Sequence, residues 1–206
     1  MKWPRFIDTL YTDLENGRAF NDFRQSINSE QDLTEIIALK IRKLYAQHYG
    51  VPDNSKILFE HVTFRNGPNE HDRKAYRKAK ENRWVFFHDV FYAPDILIQG
   101  LDSDSNILPV EVKLIKGGKQ SPSQSIATAI GQGLIYTTKY PQSIVFSGVL
   151  RSSQWGRYKF RTEANEIENN FYNQLKNMNV KVILREVGLT KQGLAEADRM
   201  QWQSAS

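Results

Sequence analysis

The chain has 206 residues, 40% of them hydrophobic and 25% charged, the makeup of one soluble globular domain with a core of its own. It has no cysteine, which excludes disulfides, thiolate zinc sites and cysteine-ligated iron–sulfur clusters. The formal net charge of +5 favours polyanionic partners. The first residues lack the apolar core of a secretion signal and no apolar run reaches membrane-spanning length, so a soluble, cytoplasmic protein without a membrane partner is expected.

Trp3, Phe6, Ile7, Leu10, Tyr11 and Leu14 recur at helical spacing and stop at Asn16-Gly17, predicting a first helix. "AFNDFRQSI" reads as a second helical piece. A better-marked helix begins near Ser29, where Asp32 three positions on resembles a capping box. Leu33, Ile36, Ile37, Ile41, Leu44 and Tyr45 form its apolar stripe, and Gly50-Val51-Pro52 ends it. "KILFEHVTFR" has the β-branched and aromatic content of a strand, and residues 65–83 are polar and basic. "WVFFHDVFYAPDILIQG" reads as one long or two consecutive strands, and "ILPVEVKLI" as another. "SPSQSIATAIGQGLIYTTKY" places Ile126, Ala129, Ile130, Gly133, Leu134 and Thr137 on one face, a helix packed closely on a sheet. A strand "SIVFSGVL", a helix in "RTEANEIENNFYNQLKNM" and a last strand "VKVILREVG" complete the series. The fold class is therefore α/β, a mixed central sheet flanked by helices on both faces. Residues 1–28 divide off as an N-terminal helical extension, 29–188 as the core and 189–206 as a C-terminal tail.

Alternation along "PVEVKLI" puts Val110, Val112 and Leu114 on one face and Glu111 and Lys113 on the other. In "PDILIQ", Asp95, Leu97 and Gln99 share a face opposite Ile96 and Ile98. If the two segments are neighbours, Asp95 approaches Glu111, with Lys113 one step along. Two carboxylates brought close repel unless a cation lies between them. Hard oxygen ligands of this kind suit Mg2+, and a lysine beside them can orient or deprotonate an attacking water. The plainer reading is that Glu111 and Lys113 face solvent on a half-exposed strand, because the E-x-K tripeptide is common.

"PD" at Pro94-Asp95, "EVK" at 111–113 on the next strand, and then a helix carrying "GQGLIY" resemble the PD-(D/E)xK nuclease superfamily. The likeness covers mainly residues 84–150, and the helix starting near Ser29 fits the family's first core helix. Gln132 and Tyr136 form a Q-x-x-x-Y pattern similar to that of RecB-like and phage-exonuclease-like nucleases. The resemblance implies a restriction-endonuclease-like core of order α-β-β-β-α-β, here with extra N-terminal helices and a C-terminal helix and strand. It implies one or two Mg2+ or Mn2+ ions ligated by Asp95, Glu111 and the carbonyl of Val112. Lys113 would position the water, Gln132 would touch that water or the substrate phosphate, and Tyr136 would touch the DNA backbone or the packing beneath it. A first-helix glutamate often completes such sites; Glu35 is the matching candidate, with a solvated surface glutamate as the other reading. The sequence departs from the RecB-like pattern in having "PD" where those members more often have a glycine-led aspartate motif.

A nuclease holds a polyanion through Lys and Arg. Arg73, Arg77 and Lys80 share one helical face if residues 65–83 are helical; a solvated charged loop is the alternative. Lys116 and Lys119 follow the E-x-K strand in "KLIKGGKQ", and "RSSQWGRYKFR" supplies Arg151 and Arg157 with Trp155 and Tyr158 interleaved. His61 and His88 fall in strand-like segments and His48 and His71 read as surface residues. The expected function is a metal-dependent DNA nuclease, an endonuclease of restriction, repair, recombination or transposition, acting as a homodimer or within a larger nuclease complex. An end-processing exonuclease and a non-catalytic nucleic-acid-binding module are the alternatives.

Overall fold

A computed structural model describes residues 2–16, 27–51, 58–60, 84–103, 105–116, 122–150 and 166–188. The expected helical piece at 19–27 (apart from Ile27), most of the strand at 56–65, the basic stretch 65–83 and the tail 189–206 lie outside them.

The apolar stripe of the first helix turns inward: Trp3, Phe6, Ile7, Leu10 and Leu14 are buried along α1 (Lys2–Asn16). The next helix, α2 (Glu30–Tyr49), opens with the expected capping box. The Ser29 hydroxyl accepts the Asp32 N–H at 3.0 Å, and the Asp32 carboxylate accepts the Ser29 N–H at 3.0 Å. It ends at Gly50 in the left-handed conformation, φ 69°, whose N–H bonds the Ala46 carbonyl. Both helices bury their stripes in one core together with Ile96, Ile98, Val110, Val112, Leu114, Ile144 and Phe146 of the sheet.

The remaining elements are β1 (Leu58–Glu60), β2 (Val85–Phe87), β3 (Val90–Tyr92), β4 (Ile96–Gln99), β5 (Ile107–Ile115), α3 (Pro122–Tyr136), β6 (Ser143–Leu150), α4 (Glu166–Asn177) and β7 (Val180–Val187). The central sheet is mixed and five-stranded, in the order β1-β4-β5-β6-β7. The β1–β4 and β4–β5 pairs are antiparallel, whereas β5, β6 and β7 are parallel to one another, joined by α3 and α4 as crossovers. Both crossover helices lie on the face away from α1 and α2, where Ala129 and Ile130 of α3 and Leu175 of α4 bury against Val145 and Val180. Helices thus cover both faces, and β6 between them is buried at every position.

The segment 84–99 departs from the expectation of one or two strands. It forms a tight hairpin, β2–β3, and then β4. His88 and Asp89 make the two-residue loop with φ of 46° and 59°, so His88 is a turn residue rather than a strand residue. Such loops usually carry glycine, and without one the turn signal was missing from the sequence. Among the described residues no helix is long and apolar enough to cross a membrane.

The close approach of α3 to the sheet depends on Gly133: a Cβ there would lie 2.5 Å from Val145 Cγ2 and 3.3 Å from Val180 Cγ1. Gly131, two residues earlier, would meet nothing within 4 Å. Gly133→Ala is therefore expected to destabilise by ~1–3 kcal/mol through overpacking. Gly131→Ala should stabilise by ~0.5–1 kcal/mol through helix propensity. Urea unfolding of the two variants checks the opposite signs.

Candidate functional site

Strand β4 stops pairing early. Its first pair is Ile96 with Val110, while β5 runs on to Ile115. Backbone N–H groups on that edge of β5 therefore need acceptors other than a strand. Two are answered by carboxylates. Asp95, immediately before β4, accepts the Val112 N–H through Oδ2 at 2.8 Å. Glu30, in the first turn of α2, accepts the Leu114 N–H through Oε2 at 3.2 Å, and its Oε1 takes the Lys113 ammonium at 3.2 Å.

Glu111 lies on the opposite face from Val110 and Val112 and is 5% exposed. The Tyr136 hydroxyl, fully buried on α3, donates to its Oε2 at 2.7 Å. The β4–β5 register continues the Ile96–Val110 pair to set Asp95 opposite Glu111. Burial first, and the neighbouring Asp95 after it, push the Glu111 carboxyl up to about 8 against the pull of Tyr136 and Lys113. Burial likewise pushes Asp95 up to about 6, opposed by the Val112 N–H and reinforced by the charge of Glu30. The two titrate as a pair that holds a proton into the neutral range.

Asp95, Glu111 and Lys113 are thus brought together as the strand alternation predicts, and the backbone of Val112 meets Asp95 through its N–H. Gln132 lies one turn before Tyr136 on α3 and is half-buried. Tyr136, expected on the DNA backbone or in the packing beneath it, has no exposure, and its hydroxyl holds Glu111 from beneath. Glu35 does not join the cluster. Its carboxylate accepts from Gln31 Nε2 at 3.4 Å, and five positions of helix turn it well away from the direction of Glu30. Glu30 is the first-helix acid that reaches the strand. The capping box at Ser29 was its sequence signal, because it places the next residue at the leading end of α2. Lys116, expected on DNA, is exposed and donates to the Asn28 carbonyl. Lys119, Arg73, Arg77, Lys80, Arg151, Arg157, His61 and His71 lie outside the described residues. His48 meets the Lys2 carbonyl at 3.0 Å beside a groove of about 720 Å³ lined by α1 and α2, and that groove contains none of the clustered residues.

Among the described residues no three His, Cys, Asp or Glu side chains converge as a ready-made metal cage. Asp95 and Glu111 are a pair, with Glu30 turned toward Lys113. Each member of the pair uses one oxygen; among the described residues no hydrogen bond reaches Asp95 Oδ1 or Glu111 Oε1. A single magnesium ion asks for little more than one or two carboxylates and its own waters. Comparison with family models, curated proteins and solved structures finds no match to this chain.

Because Glu111 is harder to ionise folded than unfolded, its contribution to stability is complete below about pH 4.5 and is lost as pH rises through about 8. In chelator, thermal unfolding should therefore weaken across that window. Glu111→Gln, which keeps an acceptor for Tyr136, should flatten the dependence and be more stable than the parent at pH 8 by ~2–4 kcal/mol. Equal slopes for the two proteins would contradict the buried, proton-holding pair.

Proposed function

We propose that the chain is a divalent-metal-dependent DNA nuclease with a restriction-endonuclease-like core. The observation that carries this reading is the pair of opposed, buried carboxylates, Asp95 and Glu111, set beside Lys113 where β5 runs past β4. With the β2–β3 hairpin set aside in a sheet of its own, the order α2, β1, β4, β5, α3 and β6 supports the α-β-β-β-α-β core that the motif resemblance implies.

Asp95 and Glu111 would hold one or two Mg2+ or Mn2+ ions. The carbonyl of Val112 leaves the strand on the same edge as the N–H bonded to Asp95, so it is a further oxygen in reach. A divalent ion there supplies Lewis-acid stabilisation of the phosphate and acidifies water. Lys113, released from Glu30, would orient the attacking water or balance charge on the phosphate. Tyr136 keeps Glu111 from turning away, and the Val112 N–H does the same for Asp95. Gln132, one turn before Tyr136, would touch the attacking water or the substrate phosphate. DNA is the proposed partner, with a homodimer or larger complex as the arrangement for cutting both strands.

Purified protein with Mg2+ or Mn2+ should cleave DNA, and chelator should abolish the activity. Lys113→Ala should slow cleavage about 10²–10⁴-fold, and Asp95→Asn and Glu111→Gln should do likewise with loss of metal binding by calorimetry. Glu35→Gln, away from the cluster, should stay within about twofold of the parent. Circular plasmid beside linear DNA separates endonuclease from exonuclease: nicks or discrete bands against attack on ends only. Cleavage of no DNA form, or full activity in Lys113→Ala, would overturn the reading.

A further inference from the structure

The hairpin that leads into Asp95 has two unlike faces. At its root, Val85 and Tyr92 pack with Leu97, Tyr136 and Tyr140, so the hairpin is anchored to the same tyrosine that holds Glu111. On its other face Phe86 and Phe91 are cross-strand partners, and each is 59% exposed. Their rings are 4.8 Å apart at 45°, and Trp84 continues the row 5.0 Å from Phe91. A two-residue turn closes the tip, so the row is carried on a short, closely paired element. Folding does not require these rings outside; polar residues serve an exposed hairpin face equally well.

Charge and position indicate the occupant. Lys139, exposed, donates to the Trp84 carbonyl at 2.7 Å and sets an ammonium at the base of the ring row. The one acid of the hairpin, Asp89, lies at the turn, the end farther from Asp95. Asp95 lies four positions along the chain from Phe91, a span of at most ~14 Å, about four stacked nucleotides at ~3.4 Å each. Aromatic faces next to a cation suit a base with its phosphate, and only an unpaired base has a free face to offer.

We propose that Phe86 and Phe91 form a stacking platform for unpaired bases. Resting on the nuclease reading, this makes the substrate class a DNA strand that is single-stranded near the scissile phosphate, such as a flap, gap or frayed end. The platform itself stands without cleavage.

The test is binding of a labelled single-stranded oligonucleotide, and of the blunt duplex of the same sequence, to the full chain in EDTA. The Phe86→Ala/Phe91→Ala variant should lose about 10- to 100-fold in single-strand affinity while duplex binding and thermal stability stay close to the parent. Phe86→Tyr/Phe91→Tyr, which keeps the ring faces, should bind like the parent. Unchanged single-strand affinity in the alanine variant overturns the platform, as does equal weakening of both DNA forms. Self-association in sedimentation that the alanine variant abolishes, with single-strand binding unaltered, assigns the rings to a second copy and overturns it too. Single-strand binding that depends on the rings, together with absence of metal-dependent cleavage, would remove the nuclease reading and leave the platform. Cleavage that is insensitive to both rings would do the reverse.

Discussion

Strand β5 outruns β4, and most of what is distinctive in the structure follows from that mismatch. An N–H left without an acceptor in a partly buried place costs about 1–3 kcal/mol. Val112 and Leu114 avoid that cost by donating to Asp95 and Glu30. The two carboxylates are therefore held by backbone, which cannot swing away, and not only by side chains. Their presence near Glu111 is unfavourable by itself, since burial and like charge both oppose ionisation. The edge of a strand keeps acids together that would otherwise separate.

The opposite face of β5 is organised by helix packing at short range. Gly133 lets α3 sit against Val145 without an intervening methyl, and one turn on, Tyr136 descends to Glu111. The Ser143 hydroxyl donates to the Gly133 carbonyl at 2.8 Å and pins the same contact from β6. Tyr136 also packs with Val85 and Tyr140. One buried ring thus touches the carboxylate through its oxygen and the root of the aromatic hairpin through its carbons. A shift of α3 would move both together.

Much of this was legible locally. The alternation of Ile96, Ile98, Val110 and Val112 against Asp95 and Glu111 needs only the two-residue period of a strand, and the structure keeps both faces as read. The capping box at Ser29 and the stop at Gly50 are short-range hydrogen bonds between neighbours in sequence, and they too appear as read. What was not legible depends on three-dimensional distance. Glu30 and Glu35 are both plausible first-helix acids until the roll of α2 over the sheet is known, and 84 residues separate Glu30 from Leu114. Tyr136 at the surface and Tyr136 beneath the site have the same helical spacing; only the depth of α3 distinguishes them. The His88-Asp89 turn was hidden because its two residues adopt positive φ without a glycine to mark it.

The placement of Lys113 bears on how such a cluster can work. Its charge favours the ionised forms of Asp95 and Glu111, yet its ammonium is bonded to Glu30, which is partly exposed, at 3.2 Å. Neither Asp95 nor Glu111 has an ammonium bonded to it among the described residues, and burial raises both carboxyls, which favours their protonated forms. A proton and a divalent ion satisfy the same need, so each is displaced by the other. On the proposed reading, Asp95 and Glu111 would hold the ion in their ionised forms, and Lys113 would turn from Glu30 toward an incoming phosphate. Glu30 is the partner of Lys113 and the cap on Leu114, and neither contact needs it to be a metal ligand.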